Sequence, residues 1–356
     1  MLSAFALTPL LGSALLPGPA LAGVPSLSRL YVFGDSLSDS GNSKALSNGA
    51  VGATFPPSPY FDGRFSNGLV AAEYLWQAFN PGDTSFRASL QGGTNYAIGG
   101  STTGEENFIE IWETTPDPLK PAYNNKGNVW QLNQFVSSAP GSFPPETSLF
   151  LVWLFPNDTF WFGASGGQSV GHVNATNPPS GLIETAVDNI IDTIDILASY
   201  GATNFLVPNS PDLGKVPEFI NNAGQSAAFT ALSNAFNSSL ATALSGLSVS
   251  RPDLDIEAFQ TDDLLTEVSA NPAAFGFTNT TTRCIGDPAC VGGDANAQAR
   301  YLFWDGSHPT TAGHALIGNS FYGMVRDPVP APLPVAGAVA FLGWTRTLRR
   351  RIVLRR

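Results

Sequence analysis

Basic residues are scarce in this sequence, and most of the chain carries a strong negative charge. Only 13% of the residues are charged, and 17 lysines and arginines stand against 28 aspartates and glutamates. Six of the basic residues cluster at the carboxyl terminus: Arg346, Arg349, Arg350, Arg351, Arg355 and Arg356. Without them, 11 basic residues remain against 28 acidic ones, a net charge of −17. Such a body repels phosphate backbones and anionic lipid surfaces, so nucleic acid is excluded as a partner.

Cysteine is almost absent as well, which rules out a disulfide-rich scaffold. The two cysteines, Cys284 and Cys290, lie six residues apart in the stretch TTRCIGDPACVGG. In an exported protein, this spacing within a Gly- and Pro-containing loop predicts a local disulfide. A zinc site is the alternative, but it needs two more ligands, and the next histidine along the chain is His308. We expect neither a metal nor an organic cofactor.

The amino-terminal residues 1–22 have the pattern of an export signal. They form an apolar stretch that ends in Ala-Leu-Ala at positions 20–22, which fits the small-x-small rule for cleavage. A positively charged start is missing, because the first basic residue is Arg29. A buried core helix is the alternative, and three prolines within the stretch argue against it. We therefore expect an exported protein, either secreted or held at the cell surface.

Residues 328–356 combine a Pro-rich hinge (328–334), an apolar stretch (335–344) and the arginine cluster. The apolar part is shorter than the ~20 residues that a membrane-spanning helix needs. This layout resembles the PEP-CTERM sorting signals of Gram-negative bacteria, in the variant that opens with Val-Pro-x-Pro. The resemblance implies transient membrane contact through the tail, cleavage, and delivery to the cell surface. A plain basic tail is the alternative.

Between these two ends, short apolar runs alternate with segments of helical periodicity. The predicted strands are 29–33, 94–98, 148–154, 203–208 and 254–259, and the predicted helices are 67–79, 181–201, 223–244 and 310–325. This alternation predicts one α/β domain over 23–327, a three-layer α/β/α sandwich around a parallel sheet of about five strands. Two long segments rich in Pro, Gly and Asn, 104–125 and 271–300, are expected to border the ligand site.

Small polar residues follow the first strand in YVFGDSLSDSGN, which places Ser36 where ligands bind in open parallel sheets. Far along the chain, WDGSHPT holds Asp305 and His308 three residues apart, before a helix that Pro309 can begin. A serine hydroxyl becomes an effective nucleophile when a histidine accepts its proton and a carboxylate orients that histidine. These residues therefore predict nucleophilic catalysis. An ordinary turn is the alternative for Ser36.

The same chemistry needs hydrogen-bond donors for the oxyanion that forms on the attacked carbonyl. Three donors are available at the ends of predicted strands: the backbone N–H of Ser36, the backbone N–H of Gly100 in TNYAIGGS, and the side-chain amide of Asn157 in FPND. Simple turns are the alternative for Gly100 and Asn157.

Taken together, these residues make the chain similar to the SGNH hydrolases, also called the GDSL lipases and esterases. The matching blocks are FGDSLSDSGN (33–42), NYAIGGS (95–101), PND (156–158) and DGSHPT (305–310), and DGRFSNG (62–68) is typical of the larger lipase-like branch. The similarity extends over roughly residues 29–325. It implies a flavodoxin-like sheet and a serine hydrolase that uses no cofactor.

By position, the resemblance gives Ser36 as the nucleophile, His308 as its base and Asp305 as the residue that orients the histidine. It gives Gly100 and Asn157, with the Ser36 N–H, as the oxyanion hole. The expected reaction is hydrolysis of a carboxylic ester, with a small molecule or a lipid as substrate. Two alternatives stay open: a carbohydrate O-acetyl esterase with the same triad, and a surface or matrix protein that keeps the fold without catalysis.

The third block departs from the family pattern, in which a glycine stands two positions before the asparagine. Here that position is Phe155, followed by Pro156. A phenylalanine disfavours the positive φ that glycine adopts easily, and a proline lacks the N–H. The neighbouring aromatic residues, Trp153 to Phe162, could line an acyl pocket, but core packing explains most of them more simply.

Overall fold

Parallel strands form the centre of the structure. The computed structural model describes residues 23–138, 143–176 and 178–326. The predicted export signal (1–22) and sorting tail (328–356) lie outside the described residues. The strands are β1 (Arg29–Gly34), β2 (Ser148–Trp153), β3 (Asn204–Pro208), β4 (Asp255–Phe259), β5 (Asn279–Arg283) and β6 (Tyr301–Phe303). The helices are α1 (Asn42–Val51), α2 (Ala71–Phe79), α3 (Phe108–Ile111), α4 (Lys120–Tyr123), α5 (Asn128–Ser137), α6 (Pro156–Ala164), α7 (Leu182–Ser199), α8 (Ala223–Ser250), α9 (Thr261–Ala270), α10 (Pro288–Val291), α11 (Ala295–Gln298) and α12 (Thr311–Arg326).

The main sheet has the order β1-β2-β3-β4, and all of its pairs are parallel. The segment 94–98 lies along the free edge of β1, where the Val32 N–H donates to the Thr94 carbonyl at 3.2 Å and the Tyr96 N–H donates to the Val32 carbonyl at 2.8 Å. With this segment counted second along the chain, the order is the flavodoxin-like one. The three-layer α/β sandwich predicted from the sequence is confirmed.

The prediction of a regular strand over 94–98 is wrong, however, because this segment forms only an isolated bridge with β1. Its outer edge is bonded by a side chain and by a short stretch of backbone. The amide of Asn42 donates to the carbonyl oxygens of Asn95 and Ala97 at 2.7 and 2.9 Å. Residues 87–89 form an isolated bridge with Asn95. These bonds occupy the places where a further strand would bind, and they protect this edge from other chains.

Both faces of the sheet are buried, which explains the uninterrupted apolar runs of its strands. Alternate residues face opposite layers: Tyr31 and Phe33 pack in one core cluster, and Leu30 and Val32 in the other. Helices α5, α7 and α8 contribute to the first cluster, and α2 and α12 to the second. The four predicted helices are present as α2, α7, α8 and α12, with α8 extending to Ser250.

A second, two-stranded parallel sheet pairs β5 with β6, and the sequence analysis missed it because β6 spans only Tyr301–Phe303. Beside it, Cys284 and Cys290 are joined by a disulfide, with their Cα atoms 5.3 Å apart. Both cysteines pack against the buried Trp304, the residue that precedes Asp305. Within the described part of the chain, no helix is both long and apolar enough to cross a bilayer.

Phe155 takes up the backbone conformation of the glycine that it replaces. Its φ is 134°, in the region that side chains rarely adopt. The ring is fully buried and stacks on Phe236 of α8, with ring centres 3.8 Å apart and planes 3° from parallel. Phe155 is therefore part of the core and does not line an acyl pocket. The burial and stacking of the ring offset the backbone strain.

We predict that Phe155→Gly lowers the free energy of unfolding by about 2 kcal/mol, because the loss of a buried ring (~3–5 kcal/mol) exceeds the relief of strain (~1–3 kcal/mol). Phe236→Ala removes the same stack with no strain to relieve, so it should cost more, about 3–5 kcal/mol. Denaturant unfolding of both variants measures the difference. An equal or larger loss in Phe155→Gly would show that the backbone at this position is not strained.

Candidate active site

Ser36 follows strand β1 in a tight turn that Asp35 organises. The Asp35 carbonyl accepts a hydrogen bond from the Ser38 N–H at 3.1 Å, and its carboxylate accepts one from the Leu37 N–H at 2.8 Å. Gly, Asp and Ser favour such turns because their side chains bond to the local backbone or leave it free to bend. The hydroxyl of Ser36 thus lies at the carboxyl edge of the sheet, as the sequence predicted.

Asp305 and His308 share the turn that precedes α12. The Oδ1 atom of Asp305 accepts from the backbone N–H groups of Ser307 and His308 at 2.9 and 2.8 Å, which folds the turn around the carboxylate. The Nδ1 atom of His308 lies 2.7 Å from Asp305 Oδ2, and its Nε2 atom lies 2.7 Å from Ser36 Oγ. A carboxylate, an imidazole and a hydroxyl are therefore in continuous hydrogen-bond contact across 272 positions of sequence.

This contact changes the acidity of both ionisable groups. Burial alone would raise the pKa of Asp305, but the His308 charge and hydrogen bond outweigh it and hold that pKa below its usual range. Burial likewise disfavours protonated His308, yet the Asp305 charge and hydrogen bond leave the pKa of His308 above its usual value. The carboxylate is thus ionised at neutral pH, and the imidazole is a stronger base than an isolated histidine.

The DGRFSNG block (62–68) holds the histidine turn in place. The Ser66 hydroxyl donates to the Pro309 carbonyl at 2.8 Å. One position on, the Asn67 side-chain oxygen accepts from the Thr311 N–H at 2.8 Å, at the first residue of α12. These bonds hold Pro309 and Thr311, the first and third residues after His308. The block therefore supports the imidazole from a segment that is remote in sequence.

Two predicted backbone donors are free to bind an anion. Among the described residues, none accepts a hydrogen bond from the N–H of Ser36 or of Gly100. Gly100 has a φ of +79°, and a Cβ there would lie 2.4 Å from the Asn107 side-chain oxygen. Only glycine fits this position, because both its backbone angle and its surroundings exclude a side chain.

The amide of Asn157 lies between these two loops. Pro156 is the first residue of α6, where the missing N–H of proline costs nothing, so Asn157 is held within the first turn of a helix. Its Nδ2 atom donates to Asp35 Oδ2 at 3.3 Å and to the Ser101 carbonyl at 3.2 Å. Both bonds are long, and a negatively charged oxygen would compete well for either hydrogen.

Sequence reasoning missed a set of buried polar residues that fix these loops. The side chain of Gln131 accepts from the Gly34 N–H at 2.9 Å and donates to the Gly34 carbonyl and to Ser101 Oγ at 2.8 and 3.0 Å. Asp158 accepts from the Thr103 N–H at 3.0 Å. Gln131 lies on the inward face of a helix and carries no local motif, so only the position of its helix reveals its role.

Two buried carboxyls lie behind the hydroxyl. Burial raises the pKa of Asp35 to about 7, although the Leu37 N–H and the His308 charge act in the opposite direction. Burial also raises the pKa of Asp158 to about 7, with the negative charge of Asp35 as a further contribution. Since the negative charge of Asp35 disfavours ionisation of Asp158, the pair carries less negative charge beside the serine at neutral pH than two ordinary aspartates would.

Four half-buried aromatic rings and the exposed ring of Trp112 contact one another in a series, which we call the aromatic face: Phe108, Trp112, Phe160, Phe219 and Phe229. Three of its residues are close to parts of the candidate site. The Phe108 N–H donates to the Gly100 carbonyl at 2.7 Å. Phe160 lies one helical turn after Asn157, and Phe219 follows a residue whose N–H bonds to the carbonyl of Gly306, next to Asp305.

Comparison with known proteins agrees with this geometry. The sequence profile of the family described as GDSL-like Lipase/Acylhydrolase matches residues 30–321. A phosphatidylcholine-sterol acyltransferase of Aeromonas hydrophila is 28% identical over 86% of this chain and 93% of its own length. Two GDSL esterase/lipases of Arabidopsis thaliana are 23% and 27% identical over 88% and 87% of this chain, which is 91% and 90% of their own lengths.

The matched region contains every side chain of the candidate site, from Ser36 to His308. In the described ranges, no three His, Cys, Asp or Glu side chains are grouped so that they could hold a metal ion. The chain belongs to the GDSL-like lipase/acylhydrolase family and is a carboxylic ester hydrolase of that type.

Proposed function

We propose that this protein hydrolyses carboxylic esters through an acyl-enzyme on Ser36, with His308 as the base and Asp305 orienting it. The observation that carries the proposal is the pair of 2.7 Å contacts that His308 makes with Ser36 Oγ and Asp305 Oδ2. A histidine held at both ring nitrogens has its Nδ1 protonated toward the carboxylate and its Nε2 lone pair toward the hydroxyl.

The reaction proceeds in two halves. Ser36 Oγ attacks the ester carbonyl while His308 Nε2 takes the hydroxyl proton, and a tetrahedral oxyanion forms. The intermediate collapses, the bond to the alcohol oxygen breaks, and His308 returns the proton to the leaving alcohol. Water then attacks the acyl-enzyme by the same route, and the carboxylic acid leaves with Ser36 restored. The Asp305 charge stabilises the imidazolium in both halves.

The oxyanion would bind the free N–H groups of Ser36 and Gly100 and the amide of Asn157. Asn157 must exchange one of its long bonds, to Asp35 or to Ser101, for the new acceptor. The exchange is favourable because hydrogen bonds to an ionised oxygen are roughly twice as strong as neutral ones. Because burial raises its pKa to about 7, the Asp35 carboxyl opposes the negative charge that develops nearby less than an ordinary, fully ionised aspartate would.

An ester with a long apolar acyl chain suits the site best. The aromatic face begins beside two of the oxyanion donors, Gly100 and Asn157. The centres of its neighbouring rings are 4.0 to 6.0 Å apart. A hydrocarbon chain that leaves the reacting carbonyl along this surface removes apolar area from water at ~0.8 kcal/mol per buried CH₂. A carbohydrate acetyl ester would leave these rings unused on its acyl side.

Acyl transfer to an alcohol is a second candidate function. The observation that favours it is the likeness, along nearly its whole length, to a phosphatidylcholine-sterol acyltransferase. In that reaction an alcohol oxygen attacks the acyl-enzyme, its proton passes to His308, and a new ester leaves. Mass spectrometry of products formed with added primary alcohol distinguishes the two outcomes, because hydrolysis yields only free acid.

We propose that this activity takes place outside the cell, on the basis of the predicted export signal and sorting tail. We propose that residues 1–22 are removed on export and that the tail holds the protein at the membrane of a Gram-negative bacterium before it is cleaved near Val329. The apolar stretch with its small-x-small site and the hinge, apolar and arginine parts of the tail support this. Intact-mass measurement of surface-exposed protein tests both cleavages.

We predict that Ser36→Ala leaves a folded protein whose esterase activity is lower by at least ~10³, as expected for loss of a triad serine. The measurement is hydrolysis of p-nitrophenyl butyrate, together with labelling by a fluorophosphonate probe. Ser38→Ala is the matched control: its hydroxyl is buried and, among the described residues, has no hydrogen-bond partner. That variant should keep full activity and labelling. Substantial activity in Ser36→Ala would refute the proposed nucleophile.

We predict that Asn157→Ala costs about 2.7–4 kcal/mol of transition-state stabilisation, mostly in kcat. KM should barely change, because a neutral ester in the ground state gains little from this donor. Steady-state kinetics on a short ester provide the test, with circular dichroism as the check on folding. Wild-type kcat in this variant would mean that the two backbone N–H groups form the oxyanion hole alone.

We predict that Phe160→Ala lowers kcat/KM for p-nitrophenyl dodecanoate about 5- to 30-fold, because several methylene groups lose their apolar contact. The acetate ester should change less than about twofold, since it does not reach the ring. Phe162→Ala is the control, because this residue lies on the same helix but is 41% exposed. Equal losses on both esters would show that Phe160 does not contact the acyl chain.

A further inference from the structure

The carboxylate of Asp305 receives a hydrogen bond that the proposed mechanism does not use. Its Oδ1 atom is held by two backbone N–H groups of its own turn. Its Oδ2 atom accepts from His308 Nδ1 at 2.7 Å and from the Tyr60 hydroxyl at 2.8 Å. Tyr60 is 245 positions away in sequence and, in the described residues, is the one donor to this carboxylate from outside the turn.

The Tyr60 ring is fixed by its neighbours. It packs edge-on against Trp304 with ring centres 6.3 Å apart, and against Phe65 at 6.4 Å. Phe65 in turn lies 5.3 Å from the His308 ring. The Tyr60 N–H donates to the Pro57 carbonyl at 3.1 Å. The phenol therefore cannot leave the carboxylate without changing its packing against Trp304 and against Phe65, the ring that lies beside the imidazole.

We propose that Tyr60 is a positioning residue for the esterase reaction, which fixes Asp305 Oδ2 and limits how strongly this carboxylate attracts the proton of His308. The proposal rests on the proposed triad. A carboxylate that shares its charge with a phenol O–H has less charge to offer the imidazolium. The phenol also keeps the carboxylate from rotating, so that Nδ1 remains the protonated nitrogen and Nε2 faces the serine.

Several titratable groups surround the imidazole and its carboxylate. The charges of Asp305 and Asp35 both favour protonated His308. His314 also faces this region, but burial lowers its pKa to about 3, so it stays neutral over the working range. Arg283 acts electrostatically on Tyr60. Of these groups, Asp35 alone has a pKa raised to about 7. Among the described residues, its carboxylate accepts hydrogen bonds from Leu37 and Asn157, and the loss of the Tyr60 hydroxyl leaves these unchanged.

The test is the pH profile of Tyr60→Phe, which keeps the ring and removes the O–H. Full-length enzyme is assayed on p-nitrophenyl butyrate between pH 5 and pH 10. Without the phenol, Asp305 binds protonated His308 more strongly, so the acidic limb of kcat/KM should move to higher pH. We expect kcat/KM to fall about 3- to 10-fold at pH 6, with a smaller loss on the alkaline plateau.

Tyr301→Phe is the matched control, because its hydroxyl donates to the Asp287 carboxylate at 2.5 Å outside the triad. Its acidic limb should stay at the wild-type position. In an Asp305→Asn background, removing the Tyr60 hydroxyl should change kcat/KM less than about twofold. The reason is that the hydroxyl acts through the Asp305 carboxylate, which this background already lacks. This comparison of kcat/KM with and without the Tyr60 hydroxyl in the Asp305→Asn background remains informative even if the substitutions change the stability of the protein.

An unshifted acidic limb in folded Tyr60→Phe, whatever its kcat, would overturn the proposal and leave the phenol a structural group. A full additional loss in the Asp305→Asn background would overturn it as well. Failure of the proposed function has a different signature: Ser36→Ala would remain active and the wild-type protein would not react with the fluorophosphonate probe. The two failures are therefore distinguishable.

Discussion

The contact between Ser36 Oγ and His308 Nε2 joins two points of the chain that are 272 positions apart, and much of the domain serves to maintain it. In the proposed mechanism, displacing either atom by about 1 Å would reduce catalysis by ~10²-fold. The serine is held by a strand of the central sheet. The histidine lies in a turn before α12, and α12 packs on one face of that sheet. The sheet is therefore the common reference for both groups.

The histidine turn has little rigidity of its own, so other segments support it. Within the turn, Asp305 is bound by its own backbone. The DGRFSNG block holds the chain directly after the histidine through Ser66 and Asn67. The Cys284–Cys290 disulfide packs against Trp304, directly before Asp305. The DGRFSNG block, which is remote in sequence, and the disulfide loop thus hold the chain on both sides of Asp305 and His308.

Buried polar groups at the carboxyl ends of β1 and β2 carry a stability cost that hydrogen bonds offset. Burying an amide or carboxyl without partners costs several kcal/mol, roughly 2–7 for a neutral group. Asn157, Gln131 and Asp158 all have partners, and their bonds connect the loops that carry Ser36 and Gly100. The same low-dielectric surroundings raise the pKa of Asp35, which lies beside Ser36, to about 7. Phe155, strained in φ yet stacked on Phe236, is a second case in which packing compensates a locally unfavourable conformation.

The sequence by itself determined the fold class and the main helices, and it named Ser36, Asp305 and His308 as the candidate triad, because strand periodicity and short blocks are local properties of the chain. It predicted a regular strand over 94–98, which is wrong, and it missed β5 and β6. Whether a segment pairs as a strand depends on which other segments lie beside it in space. Only the tertiary structure decided which side chains support the site. Tyr60 and Gln131 sit in segments with no local signal for their contacts, and Phe155 could be assigned to the core only through its stack on α8. The physical reason is that hydrogen bonds and ring contacts form between residues that are close in space. When such residues are far apart along the chain, their contacts produce no local sequence pattern.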